Sequence, residues 1–176
     1  EWITRSGHCV EARVYAEDPA RNFLPQAGRA VRVRWPEGPQ VRVDTGIASG
    51  DDVPVHYDPI LAKVIAVGET RAEALERLTL ALDESVVHGV VTNLPFLRAL
   101  VRAHAVRRAE VDTEWIEREF LAGFAAVALA AAPELALAAV AIGELLGVPK
   151  AAASRAGARR ASVFATLGRW RHPGLE

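Results

Sequence analysis

The chain has 176 residues, long enough to bury a real core, and its 51% hydrophobic and 24% charged composition is that of a globular domain rather than a disordered or fibrous one. A formal net charge of −1 gives no overall field that attracts nucleic acid or an anionic membrane. A single cysteine, Cys9, excludes an internal disulfide and a cysteine-based metal centre, and it points to a reducing, cytoplasmic setting. The sequence opens on Glu1-Trp2-Ile3 without a basic leader or apolar core and contains no methionine, so it reads as a piece of something longer.

In chain order, residues 10–16 alternate with period 2. Val10, Ala12, Val14 and Ala16 form one face of a strand, while Glu11, Arg13 and Tyr15 form a polar face suited to lining a site. Glu17-Asp18-Pro19 ends that strand, and residues 22–28 read as a turn that tucks Phe23 and Leu24 into the core. Residues 30–35 and 41–44 also alternate. With the Pro36-Glu37-Gly38-Pro39 cluster between them they predict an antiparallel hairpin, with Arg32, Arg34, Arg42 and Asp44 on its polar side. Residues 45–53, with Gly46, Gly50 and Asp51-Asp52, read as a loop whose acidic pair is a solvated tip rather than a metal site.

Residues 60–67 are an almost continuous apolar run, predicting a strand buried on both faces, inside which Lys63 must snorkel or meet a carboxylate. Thr70 with Glu73 forms a capping box for a helix running through Ala74, Leu75, Leu78, Leu82 and Val86 and closing at His88-Gly89. Val90-Val91 reads as a short strand and residues 93–104 as a second helix, with Pro95 in its first turn. Asp112 caps a third, which turns Trp115, Ile116 and Phe120 inward. Residues 120–148 are long enough to cross a bilayer. Pro133-Glu134 in the middle, Glu144 near the end and the weak hydrophobicity of Ala favour a soluble Ala-rich helix instead. Lys150 to Arg160 reads as a basic linker, and residues 162–173 as the start of a further unit. The fold class is therefore α+β, an antiparallel sheet with helices on one face over residues 1–120, followed by an Ala-rich helical extension over 121–148 and a linker with an incomplete unit over 149–176.

No phosphate-binding glycine loop, dinucleotide fingerprint, His-based zinc motif or nucleophile elbow occurs, and five scattered histidines form no ligand set. Two features carry chemistry. Arg13 is a fixed cation with a planar fork of donors, suited to an oxyanion or, more plainly, to a structural pair with Glu11 or Glu17. Tyr57-Asp58 stands at the mouth of the apolar strand, where it orients that arginine or simply ends a loop.

The blocks GHCVEARVYAEDPARNFLPQAG, QVRVDTG and VPVHYDPILAKVIAVGETRAEALERLTLALDESVVHGVVTNLPFLRAL, over about residues 7 to 120, together resemble the C-terminal domain of biotin carboxylase. The pattern EARVYAEDP is most similar to biotin-containing α subunits of methylcrotonyl-CoA or propionyl-CoA carboxylases, and urea and acetyl-CoA carboxylases share much of it. The resemblance implies an ATP-dependent ligase in which ATP and bicarbonate form carboxyphosphate, whose CO2 is fixed on N1 of biotin. It makes Arg13 the arginine that stabilises the biotin enolate, sets Tyr57 and Asp58 near the biotin pocket, and gives Arg42 a place at a homodimer interface. At that interface the family aromatic is replaced by Pro39.

The implied cofactors are biotin, on a carrier domain outside this chain, and ATP with magnesium, bound mainly by an ATP-grasp portion placed before Glu1. The implied partners are that portion, the biotin carboxyl carrier domain and a carboxyltransferase β subunit, in an oligomeric assembly with neither nucleic acid nor membrane. The biotin attachment motif is a lysine between methionines, which a chain without Met does not contain, so the fragment alone is expected to be inactive. Two rival readings stand beside this one: a non-catalytic interaction module of the same assembly, and the C-terminal domain of another ATP-grasp ligase.

Overall fold

A computed structural model describes residues 6–54, 56, 58–124 and 142. The chain divides into two compact units, Glu1–Ala136 and Leu137–Glu176, and every element below belongs to the first. The expected basic linker and further unit fall outside the described residues, as does the expected Ala-rich extension apart from its first residues 121–124, which are helical, and Ile142.

The elements follow as β1 (His8–Tyr15), β2 (Glu17–Asp18), β3 (Leu24–Pro25), β4 (Gly28–Arg29), β5 (Arg32–Arg34), β6 (Val41–Thr45), β7 (Asp52–Val53), β8 (Ile60–Gly68), α1 (Arg71–Glu84), β9 (Val86–His88), α2 (Leu94–Leu100), α3 (His104–Arg108) and α4 (Ile116–Phe120). The last is a π-helical turn that continues as α-helix over 121–124. The class is α+β, as expected. The main sheet has the order β1-β8-β6, all antiparallel, and three two-stranded ladders (β2-β3, β4-β7 and β5-β9) surround it.

One face of that sheet packs on helices. Ala12 and Val14 of β1 and Ala62, Val64 and Ala66 of β8 are buried against Leu78, Ala81 and Leu82 of α1 and Leu94, Phe96 and Leu97 of α2. Thr70 caps α1 as predicted, its hydroxyl accepting from the Glu73 amide at 3.2 Å, while the Glu73 carboxylate accepts from the Glu69 amide at 2.8 Å. Trp115 is buried, and Ile116 and Phe120 pack on the same core.

Several expectations are corrected. The two strands of the predicted hairpin form but do not pair: β6 joins β8 and β5 joins β9. Their apolar residues serve different cores, because Val41 and Val43 pack on the helix-backed cluster while Val33 packs on a second one around Ala16, Ala30 and Leu61. Beyond Leu61, which is buried in the second core, the apolar run of β8 is buried on one face only. Its other face is open, with Lys63 and Ile65 half-buried and Val67 exposed, because helices cover just one side. Leu24 is 51% exposed rather than buried, pairing in the β2-β3 ladder, while Phe23 alone reaches the core and meets Phe96 edge-on at 5.0 Å.

The first helix stops at Glu84, and Val86 begins β9. Ser85 turns extended at φ −66° and ψ 130°, its buried hydroxyl donates to the Ala81 carbonyl, and Arg98 donates to the Leu82 and Ser85 carbonyls, so the helix end is satisfied there. Val90-Val91 is consequently a connection and not a strand. It follows Gly89 at φ +97°, where a Cβ would collide with the Arg29 carbonyl oxygen. The second helix also ends early, at Leu100, with the short α3 after it.

Leu82 is fully buried between α1 and the sheet. Leu82→Ala is expected to lower unfolding stability by about 2–5 kcal/mol in denaturant titration. A loss below about 1 kcal/mol would show that α1 does not form the backing of this sheet.

Candidate functional site

Arg13 stands on the open face of β1, where the alternation puts it. Antiparallel register sets Arg13 opposite Lys63 and Lys63 opposite Asp44; two residues along, Glu11, Ile65 and Arg42 form the next row. Directly opposed residues share a face, so all six lie on the side away from the helices. With strands about 4.8 Å apart, Arg42 lies about 10 Å from the β1 backbone. Sequence reasoning singled out both arginines, and the sheet brings them onto one surface.

The partners of these charges are local. Arg13 Nε donates to Glu11 Oε1 at 2.7 Å, with the arginine side chain 57% exposed. Arg42 makes a two-pronged contact with Asp44, Nε to Oδ1 at 2.8 Å and Nη2 to Oδ2 at 3.0 Å. The hydrogen bond to Glu11, with Tyr15 adding to it, raises the Arg13 pKa above its ordinary value, so the cation stays charged. Arg42 holds the Asp44 carboxyl below the usual carboxylate range, and Lys63 adds its charge. Lys63 thus lies across the ladder from a carboxylate, one of the two outcomes expected for its place in an apolar strand.

Asp58 is exposed, and its Oδ1 accepts from the Ile60 amide at 3.1 Å, the geometry of a residue shaping the entry to β8. Its charge reaches Glu17, whose carboxyl is pushed up first by burial and then by Asp58. Arg13 is therefore oriented by Glu11 and not by Asp58. Tyr57 lies outside the described residues.

One residue of this region escaped sequence reasoning. Asn93 at the head of α2 is 5% exposed; its side-chain oxygen accepts from the Tyr15 amide at 2.9 Å and its side-chain nitrogen donates to the Arg13 carbonyl at 3.2 Å. Its own backbone amide donates to the Tyr15 carbonyl at 3.1 Å. An Asn before Leu-Pro reads as a helix cap, which hides a long-range role. Beside these bonds, a cleft of ≈ 450 Å³ follows β1, with Arg13, Asn93 and Arg71 at polar positions among apolar walls such as Leu78, Leu97 and Trp115. Among the described residues no three His, Cys, Asp or Glu side chains are grouped to hold a metal ion, and no helix is long and apolar enough to cross a membrane.

Fold and surface together define an α+β domain with a helix-backed antiparallel sheet and one open, arginine-bearing face. The family model described as the biotin carboxylase C-terminal domain matches residues 11–118, and the chain belongs to that family. It is 41% identical over 126 residues to the mitochondrial propionyl-CoA carboxylase alpha chain of Mus musculus, covering 70% of this chain and 17% of that protein. It is 42% identical over 119 residues to the mitochondrial methylcrotonoyl-CoA carboxylase subunit alpha of Oryza sativa subsp. japonica, covering 67% of this chain and 16% of that one. Among solved structures, the biotin carboxylase domain of a thermophilic 2-oxoglutarate carboxylase bound to bicarbonate superposes with a TM-score of 0.65 at 29% identity, covering 66% of this chain and 26% of that one. The chain thus spans about a sixth of the curated relatives' length, 17% and 16% in these two.

The raised Glu17 carboxyl gives a signed expectation. A carboxyl whose folded pKa exceeds its unfolded one keeps its contribution below the unfolded pKa and loses it as pH rises through the folded value. Glu17→Gln is therefore expected to unfold at a higher temperature than the parent at neutral pH, with the difference vanishing in acid. Thermal unfolding across a pH series checks it, and a variant less stable at neutral pH refutes it.

Proposed function

We propose that this chain supplies one wall of the site at which biotin is carboxylated with ATP and bicarbonate, within a larger biotin-dependent carboxylase. The observation that carries this is Arg13: a guanidinium held at Nε by Glu11, on a strand face left open to solvent, inside a chain of the biotin carboxylase C-terminal family. Biotin, when bound, would supply the N1 atom that takes up the carboxyl group, with negative charge developing on its ureido oxygen. Arg13 presents a permanent positive charge and planar donors to that oxygen. Because β1 is fixed between β8 and the helices, these donors need little reorganisation as charge develops.

In this reading Tyr57 and Asp58 border the biotin pocket, and Arg42, 74% exposed on the same face, meets a neighbouring subunit. ATP and magnesium are held mainly by an ATP-grasp portion. Biotin arrives on a carrier domain, a carboxyltransferase β subunit receives the carboxyl group, and the assembly is oligomeric. Support for an acyl-CoA carboxylase α subunit comes from the relatives named as alpha chains and from the Mycobacterium leprae protein described as a biotin-dependent acyl-coenzyme A carboxylase alpha3 subunit, 43% identical over 118 residues. The domain spans residues 1–120, with an Ala-rich extension over 121–148 and a linker with a further unit over 149–176. A single exposed, free Cys9 suits a reducing compartment such as the cytoplasm.

Charged rows that include the two-pronged Arg42-Asp44 pair favour a second reading, in which the open face serves subunit contact alone. Arg13→Ala in the full-length carboxylase separates the two. Carboxybiotin formation from free biotin is expected to fall by about 100- to 1,000-fold, with the assembled mass unchanged on gel filtration. Undiminished carboxylation with loss of assembly would establish the contact reading instead.

A further inference from the structure

We infer that Asn93 is a positioning residue for Arg13, gripping the β1 backbone on both sides of Val14 and thereby setting the direction of the arginine side chain. The inference rests on the reading of Arg13 as the oxyanion partner. Residues 13 and 15 of a strand turn their amide and carbonyl groups to the same edge, here the one away from β8. The carboxamide of Asn93 offers one acceptor and one donor, and it spends both on that edge: the oxygen takes the Tyr15 amide at 2.9 Å, and the nitrogen gives to the Arg13 carbonyl at 3.2 Å. With the Asn93 backbone amide bound to the Tyr15 carbonyl at 3.1 Å, one residue replaces a short stretch of neighbouring strand.

Two further observations give this grip its purpose. On the opposite edge the ladder slips between Val14 and Tyr15, which pair with Ala62 and Ile60, so Leu61 has no counterpart and β8 alone does not fix the backbone there. Asn93 also forgoes the task its position offers. It stands where the helix α2 begins, yet its side chain makes no capping bond, and the Leu94 amide donates instead to the Thr92 hydroxyl at 3.4 Å. A buried asparagine that gives up a cap for the strand 78 and 80 residues away acts on that strand. It thereby fixes the plane of the peptide that follows Arg13, and with it the vector along which the guanidinium leaves β1.

The test uses the full-length carboxylase with free biotin and the variants Asn93→Asp, Asn93→Ala, Arg13→Ala and Asn93→Asp/Arg13→Ala. Asn93→Asp keeps the shape and the acceptor for Tyr15 but sets a carboxylate oxygen against the Arg13 carbonyl. Turnover in carboxybiotin formation is expected to fall about 10- to 100-fold in each single Asn93 variant, with the KM for ATP near that of the parent. Because the two residues act as one unit, the double variant should be no slower than Arg13→Ala alone, within about threefold. Losses that multiply instead would leave the Arg13 reading intact and overturn the role of Asn93; an Arg13→Ala enzyme of full activity overturns both. Hydrogen exchange in the unmutated enzyme serves where the variants fold poorly. The Tyr15 amide is expected to be protected as strongly as the amides of β8, and rapid exchange there refutes the grip.

Discussion

The pairing of β1 with β8 is the constraint on which everything else depends. Eight residues of β1 pair antiparallel with β8, and the alternation they share delivers Ala12 and Val14 beside Ala62, Val64 and Ala66 onto Leu78 and Leu82. The same alternation delivers Glu11 and Arg13 to the opposite face. A slip of one residue would put Arg13 under α1 and Val14 in water, exchanging the burial of a whole strand for the burial of a charge. Core packing and the aim of the arginine are thus one property of the sequence. The hydrophobic effect that holds the sheet to its helices also excludes the one-residue slip that would bury the guanidinium.

The open face follows the same logic in its charges. Arg13 and Lys63 lie side by side, an arrangement that is unfavourable unless anions are close, and each cation has one: Glu11 beside Arg13, and Asp44 beside Lys63. The result is a surface of alternating sign around Ile65, with modest net charge and many donors. Glu11 occupies only Nε of Arg13, so the Nη groups of the guanidinium still carry donors on this face.

Much of this was legible in the sequence, because the period-2 alternation of residues 10–16 and the capping box at Thr70 are local signals that the packing obeys. What was not legible depended on partner choice. Residues 30–35 and 41–44 alternate correctly and are joined by a turn-like cluster, yet which strand each one joins is decided by whether Val33 or Val43 finds the better core, a matter of distant residues. Val86 falls on the helical stripe through Leu82, and only the extended backbone of Ser85 and the pairing of Val86 with Arg34 show that the helix has already ended. For Lys63 the sequence left two outcomes, snorkelling or a carboxylate, and Asp44 comes to lie opposite it only through a pairing the sequence does not spell out. Asn93 is the extreme case: every local cue assigns it to α2, while its hydrogen bonds belong to β1.

The Arg13-Glu11 pair bears on the proposed role through its geometry more than through stability. With the arginine side chain 57% and the glutamate 34% exposed, water screens the pair and it adds little to stability. Its geometry is more informative. Glu11 engages Nε, one of the five donors of the guanidinium, so the fork formed by the Nη groups can take up a second acceptor without the first bond breaking. In the proposed role an incoming oxyanion would meet a cation already restricted in orientation, the entropy of fixing a long, flexible side chain having been lost in folding rather than at the moment of binding. Restriction by Glu11 alone would only tether the side chain to its own strand. Restriction of the strand itself, by β8 on one edge and by Asn93 on the other, is what converts a tethered cation into a directed one.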